Sequence, residues 1–246
     1  MSDNQVGTYK LVASPFHLDV RGKLSIGVLG KHLLNCADAY AAERGFDVVE
    51  QGGEHYTWVL SRLAIELEDL PSCHESFSIQ TWVENVYRLF ADRNFVICNK
   101  DEKPIGYVRS VWAMISMETR NPANLLDLHG DRITNSICEK ECPIAKPGRI
   151  KVSQQEVVSE YVAKYSDLDI NGHVNSIKYI EHILDIFPLD IYKKKALKRF
   201  EIAYVAESYY GDTLSFYLEE KNENEYDIEV RKSSTEVVVR SKVIFK

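Results

Sequence analysis

Apolar residues fall on two different periods along this chain, and the switch between them happens twice. Across 22–45, Leu24, Val28, Leu29, Leu33, Ala37, Tyr40 and Ala41 recur near helical spacing with a glycine past the end, which predicts one long helix. Beyond it the segments 56–68, 76–86, 89–99 and 105–117 are rich in β-branched and aromatic residues and predict strands. The polar run Asn99-Lys-Asp-Glu-Lys-Pro104 has hairpin-turn composition, and connections this short force antiparallel pairing.

The second half repeats that order. A candidate strand at 157–164 precedes a helix at 174–186, in which Val174, Ile177, Tyr179, Ile180 and Ile183 cluster. Strands follow: Phe200, Ile202, Tyr204 and Ala206 alternate with Arg199, Glu201 and Val205, and then come 214–218, 226–231 and 237–245 across short polar turns. Laying 17–25 on 167–175, a constant offset of 150 positions, matches Leu18 with Leu168, Asp19 with Asp169 and Gly22 with Gly172. These identities lie just ahead of the long helix in each half, so they point to two copies of one α+β unit. Pro122, Pro143 and Pro147, with glycines and charges, interrupt the patterning between Asn121 and Lys151. The expected division is a domain at 1–125, a linker at 126–150 and a second domain at 151–246.

Composition narrows the function classes. With 246 residues, 45% of them hydrophobic, the chain can bury a substantial core. A formal charge of −7 and a pI near 5.6 argue against nucleic-acid binding through bulk charge. No apolar run reaches the length of a membrane span, and MSDNQVGTYK has neither a basic start nor an apolar signal core, so a cytoplasmic protein is expected. Cys36, Cys73, Cys98, Cys138 and Cys142 are odd in number and lack Cys-x-x-Cys spacing, so reduced thiols and no metal site are expected.

Neither a Gly-x-Ser-x-Gly elbow, a phosphate loop, a Gly-x-Gly-x-x-Gly nor a His-Glu-x-x-His occurs. What remains is Asp167-Leu168-Asp169-Ile170-Asn171-Gly172-His173-Val174-Asn175. An acid, an amide and an imidazole at alternate positions ahead of a helix would project from one side of an extended turn, beside free helix N–H groups that suit an oxyanion. Asp, Asn and Gly also serve ordinary turns and N-caps, which is the plainer reading. The first copy separates the two. It keeps Asp19 and Gly22, the turn residues, but carries Arg21 and Lys23 opposite Asn171 and His173. A turn alone does not need the amide and the imidazole, so one half is expected to be catalytic and the other to serve architecture and substrate binding.

The segment 167–181, DLDINGHVNSIKYIE, resembles the signature of the acyl-acyl carrier protein thioesterases of plants and bacteria. Further resemblance lies in Phe200-Glu-Ile-Ala-Tyr-Val-Ala-Glu207-Ser208, in Trp58-Val-Leu-Ser-Arg62, in Ser110-Val-Trp-Ala-Met114 and in Met117-Glu-Thr-Arg120, so it covers most of the chain. The resemblance implies two tandem hot-dog domains, each a long helix packed on an antiparallel β-sheet. It also implies a catalytic set of Asp169, Asn171, His173 and Glu207, without a cofactor. Ser208 stands where many relatives carry a cysteine once proposed as the nucleophile, so a thiol-based triad is not expected. The route implied is hydrolysis in which Glu207 and His173 act on water while Asn171 and a helix-start N–H bind the oxyanion. Direct attack by Asp169 is the alternative.

The resemblance further implies a fatty-acyl thioester substrate, with acyl carrier protein as partner. That carrier is acidic, and Lys193, Lys194, Lys195, Lys198 and Arg199 form a basic run that could dock it. Leu29, Leu33, Trp82, Val111 and Trp112 could line an acyl slot, although each alone reads better as core. The competing functions are an acyl-coenzyme A thioesterase and a non-catalytic acyl-binding sensor. Monomer and homodimer are both compatible with a tandem chain, and the lack of a plastid-type leader favours a bacterial source.

Overall fold

The computed structural model describes residues 5–246; the first four, part of the stretch read above for targeting, lie outside the described residues. The chain forms two compact units, one holding the described residues up to Ser61 with Glu68–Ala145, the other holding Arg62–Leu67 with Lys146–Lys246.

The first unit contains strand β1 (Gly7–Val12), helix α1 (Ile26–Glu43), β2 (Val49–Gln51), most of β3 (Glu54–Leu67), β4 (Ser76–Val86), β5 (Ala91–Cys98), β6 (Pro104–Ser116), and the short helices α2 (Leu125–His129) and α3 (Asp131–Thr134). Its strand order is β1-β4-β5-β6-β3, with β2 paired to β3. Ser25 caps α1 by accepting from the Val28 amide at 3.3 Å, and the helix buries Leu29, Leu33, Ala37, Tyr40 and Ala41 along one stripe. The helix is shorter than its apolar pattern because Leu24 is already engaged through a main-chain bond to Pro71 O.

The second unit contains β7 (Val157–Val162), α4 (Ser176–Asp185), α5 (Leu189–Lys194), β8 (Leu197–Tyr204), β9 (Thr213–Asn222), β10 (Glu225–Lys232) and β11 (Glu236–Phe245). The order β7-β9-β10-β11-β8 repeats that of the first unit, and the stretch from Arg62 to Glu66 of β3 pairs antiparallel with β8. Asn175 caps α4 through the Ile177 amide at 2.9 Å. The Tyr204 hydroxyl of β8 donates to Ser176 O at 2.8 Å, which ties the start of that helix to its sheet.

Expectation and structure part at two places. The stretch expected as a linker, 126–150, is for the most part folded into the first unit. Leu125, His129 and Ile133 are buried, and Cys138, Cys142 and Ile144 pack on Trp82, Val96 and Cys98. The segment is irregular, so it shows no period, but side chains satisfy its backbone: Arg109 donates to Ile144 O and Cys142 O, both at 2.7 Å, and the Trp82 indole donates to Lys140 O at 2.9 Å. The second place is β8, which carries Arg199 of the expected docking run. Arg199 and Glu201 are instead buried, with Arg199 paired to Glu66 and Glu201 at 2.7 Å each. Arg199 is therefore removed from the docking run, because its charge is already neutralised inside the fold. All five cysteines are free thiols.

Candidate active site

The loop ahead of α4 is built by Asp169. Its Oδ1 accepts from the Asn171 amide at 2.8 Å and from the His173 amide at 3.3 Å, while its own N–H donates to His173 O at 2.8 Å. Gly172 completes the bend with φ of 78°, in the left-handed region that suits glycine, and donates to Asp169 O at 3.0 Å. The acid thus spends one oxygen on fixing the backbone that carries His173.

Glu207 arrives from the chain that follows β8. The Val174 amide donates to Ser208 O at 2.8 Å, and His173 forms an isolated bridge with Tyr209. This lacing brings Glu207 Oε2 to 3.5 Å from His173 Nε2. The Tyr209 hydroxyl donates to the same Oε2 at 3.3 Å, its ring meets the imidazole edge-on with centroids 5.0 Å apart, and Lys232 Nζ donates to Glu207 O at 2.9 Å. The side chains of His173 and Glu207 are 19% and 38% exposed, so water reaches the pair without surrounding it.

Asp169, His173 and Glu207 are therefore joined in one assembly. Asn171 is exposed and enters that assembly through its backbone amide, and its carboxamide makes no protein hydrogen bond among the described residues. Ser208 is fully buried, which keeps its Oγ out of contact with solvent. An imidazole beside a carboxylate can relay a proton.

Behind the loop lies a group that the sequence pattern did not flag. Asp167 is buried, accepts from the Tyr161 hydroxyl at 2.9 Å and the Lys164 amide at 2.7 Å, and lies 3.0 Å from His182 Nε2. Burial works to raise the Asp167 carboxyl, but these hydrogen bonds and the imidazole hold it below the ordinary aspartate value. Tyr209 and Lys232 were also missed, since neither stands at a telling spacing. The constant offset that pairs His32 with His182 was the one available hint.

The basic run sits away from this loop. Lys193 and Lys194 end α5, and Lys198 is on β8, so they lie beyond the C-terminal end of the ten-residue helix α4. The loop is at its N-terminal end, about 15 Å along the axis at 1.5 Å per residue. Lys193 pairs with Asp190 at 2.9 Å, and Lys195 bonds Glu223 O and Asn224, whereas Lys194 and Lys198 are exposed. The slot candidates Leu29, Leu33 and Trp82 are fully buried core, while Val111 and Trp112 are half-buried.

Two units of the same strand order, each with a long capped helix and an antiparallel sheet, and a His–Glu pair in the second, define a double hot-dog protein. Profiles described as the acyl-ACP thioesterase N-terminal domain and the acyl-ACP thioesterase C-terminal domain match residues 9–130 and 150–246. The chain is 60% identical to an acyl-ACP thioesterase from Bacteroides thetaiotaomicron of solved structure, over 100% of both chains, with a TM-score of 0.94. It belongs to the acyl-ACP thioesterase family. The solved 12:0-ACP thioesterase from Umbellularia californica, 17% identical over 98% of this chain and 97% of that one, shares the fold with a TM-score of 0.84. The chloroplastic palmitoyl-acyl carrier protein thioesterase of Gossypium hirsutum is 26% identical over 192 residues, 73% of this chain and 46% of that protein. The chain thus spans about half the length of the curated relatives it matches. No helix among the described residues is long and apolar enough to cross a membrane.

Proposed function

We propose that this chain hydrolyses the thioester of fatty acyl-acyl carrier protein, releasing free fatty acid and ending chain elongation in fatty acid synthesis. The observation that carries the reading is the His173–Glu207 pair, held 3.5 Å apart by a loop that Asp169 braces. Glu207, with His173, takes a proton from water as the water attacks the thioester carbonyl. Asn171, whose carboxamide is uncommitted, and the amide of Ser176, which begins α4 and makes no protein hydrogen bond among the described residues, are the donors assigned to the oxyanion. Asp169 acts by orientation, since its Oδ1 is taken up by the loop amides. The second unit carries the chemistry and the first binds the acyl chain. For the acidic carrier, Lys193, Lys194 and Lys198 are the exposed cations of the basic run.

The test is release of free thiol from a series of acyl-acyl carrier proteins of different chain length, with matched acyl-coenzyme A substrates and His173→Ala alongside. Turnover favouring the protein carrier, and falling by about 10²- to 10³-fold in the variant, is the expected outcome. Preference for the coenzyme A thioesters would reassign the substrate. Tight acyl binding without turnover would make the protein a sensor.

A further inference from the structure

Tyr209 touches both members of the candidate pair, although no sequence pattern singled it out. Its hydroxyl donates to Glu207 Oε2 at 3.3 Å, and its ring stands edge-on to His173. The same Oε2 lies 3.5 Å from His173 Nε2, so one carboxylate oxygen is shared between imidazole and phenol. The tyrosine is 48% exposed, so its ring is not there to fill the core.

The first unit shows what the turn itself requires. There the main-chain partner of Lys23 is Ser72, just as Tyr209 is the partner of His173. The Ser72 amide donates to the Glu75 carboxylate at 2.9 Å, and the Tyr209 amide donates to the Asp212 carboxylate at 2.9 Å, so the two turns are closed the same way. A serine suffices for that turn. What differs is the side chain across from it: Lys23 reaches Leu70 O at 2.9 Å and Asp69 in the first unit, whereas His173 faces Glu207 in the second. The phenol stands in the turn whose carboxylate faces an imidazole, and the serine in the turn whose facing side chain is a lysine already paired with Asp69.

We propose that Tyr209 is a positioning residue that keeps the Glu207 carboxylate charged and turned toward His173. As a statement about turnover this rests on the hydrolase reading above, while the hold on Glu207 is a property of the protein alone. Among the described residues, the titratable and charged groups seen against Glu207 include His173 from the loop, Tyr209 from its own segment, and Lys232 from β10, whose Nζ meets the Glu207 main-chain oxygen and is in turn paired with Glu236 at 3.2 Å. A hydrogen bond to the charged form favours that form, so removing the phenol hydroxyl makes Glu207 easier to protonate.

Tyr209→Phe, which keeps the ring, is compared with wild type in two measurements. One is the pH–rate profile on an acyl-carrier substrate. The other is titration of the Glu207 carboxyl by carbon-13 NMR without substrate, its resonance assigned with Glu207→Gln. The variant is expected to lose about tenfold in kcat with KM within about twofold, and to show the acid limb and the Glu207 midpoint both raised by about half to one pH unit. Tyr209→Ser, which installs the residue the first unit uses, is expected to lose at least as much. A Tyr209→Phe protein that matches wild type in kcat and in Glu207 midpoint overturns the proposal. If wild type hydrolyses no carrier thioester, the hydrolase reading falls, and the NMR midpoint alone still decides whether Tyr209 holds Glu207.

Discussion

The loop at 17–25 and the loop at 167–175 share a backbone and differ in chemistry. Asp19 N donates to Lys23 O at 2.7 Å and Gly22 N to Asp19 O at 3.0 Å; the bonds from Asp169 N and Gly172 N are 2.8 and 3.0 Å. Gly22 and Gly172 have φ of 71° and 78°. In the first loop Arg21 closes on Asp19 Oδ2 at 3.0 Å, and Lys23 pairs with Asp69 at 2.9 Å, so its charges are neutralised locally. In the second, Asn171 makes no side-chain bond to Asp169 among the described residues, and His173 turns to Glu207. An aspartate and a glycine suffice for the turn, and the proposed chemistry rests on three side chains that the turn does not need.

A second contrast lies one layer deeper. His17 and His32 occupy the places of Asp167 and His182 at the same offset. Where the second unit has an acid beside an imidazole at 3.0 Å, the first has two imidazoles with ring centroids 5.7 Å apart. Burial, and then the neighbouring His17, push His32 below the ordinary histidine value. His32 is thus held toward its neutral form.

The largest expected effect tests the aspartates. Asp169→Ala should lower kcat about 100-fold, and Asp19→Ala should leave turnover within about twofold, while each costs about 1–2 kcal/mol of stability through its lost loop bonds. Parallel turnover losses in the two variants would reduce Asp169 to a turn residue.

Next in size is a pH effect confined to the first unit. His129 is buried, stacks on the Trp58 ring and is pushed down to about 4, chiefly by burial and then by Arg132. The unfolded chain, with an ordinary histidine near 6.5, binds the proton more readily. Stability from this group is therefore complete above about pH 6.5 and is lost as pH falls toward 4, at up to about 1.4 kcal/mol per pH unit. Thermal melts between pH 7 and 4.5 should show this slope, and His129→Phe should flatten it. An unchanged slope would place the acid sensitivity elsewhere.

The smallest expected effect is none. Arg21→Asn with Lys23→His, introduced into a His173→Ala background, copies the reactive side chains onto the first loop but leaves Leu70 where the second unit has Glu207. No turnover should return. Recovery above the His173→Ala level would mean that the loop alone is the catalytic unit.

Much of this was legible in the chain. The ends of β4, the run of α1 and α4, and the repeated helix-then-strands order follow from periodicity and caps, which are local properties. Asp169, Asn171 and His173 could be singled out because a duplicated sequence carries its own control: the turn residues stay and the chemical ones change. Glu207 needed the family resemblance, because no local spacing ties a residue after β8 to a loop before α4. The 126–145 segment was misread because its burial depends on side chains such as Arg109 and Trp82 reaching its backbone, which leaves no period to detect.

By itself, then, the sequence determined two copies of one unit, the helix and strand order within each, and which copy holds the imidazole. Only the tertiary structure decided that Glu207 meets His173, that Tyr209 shares the same carboxylate oxygen, and that Arg199 of β8 is spent on Glu66 of β3 and Glu201 of its own strand. The reason is range. Caps and hydrophobic periods act over a few residues, whereas a hydrogen bond between residues tens of positions apart exists only after the strands and loops that carry them have been registered.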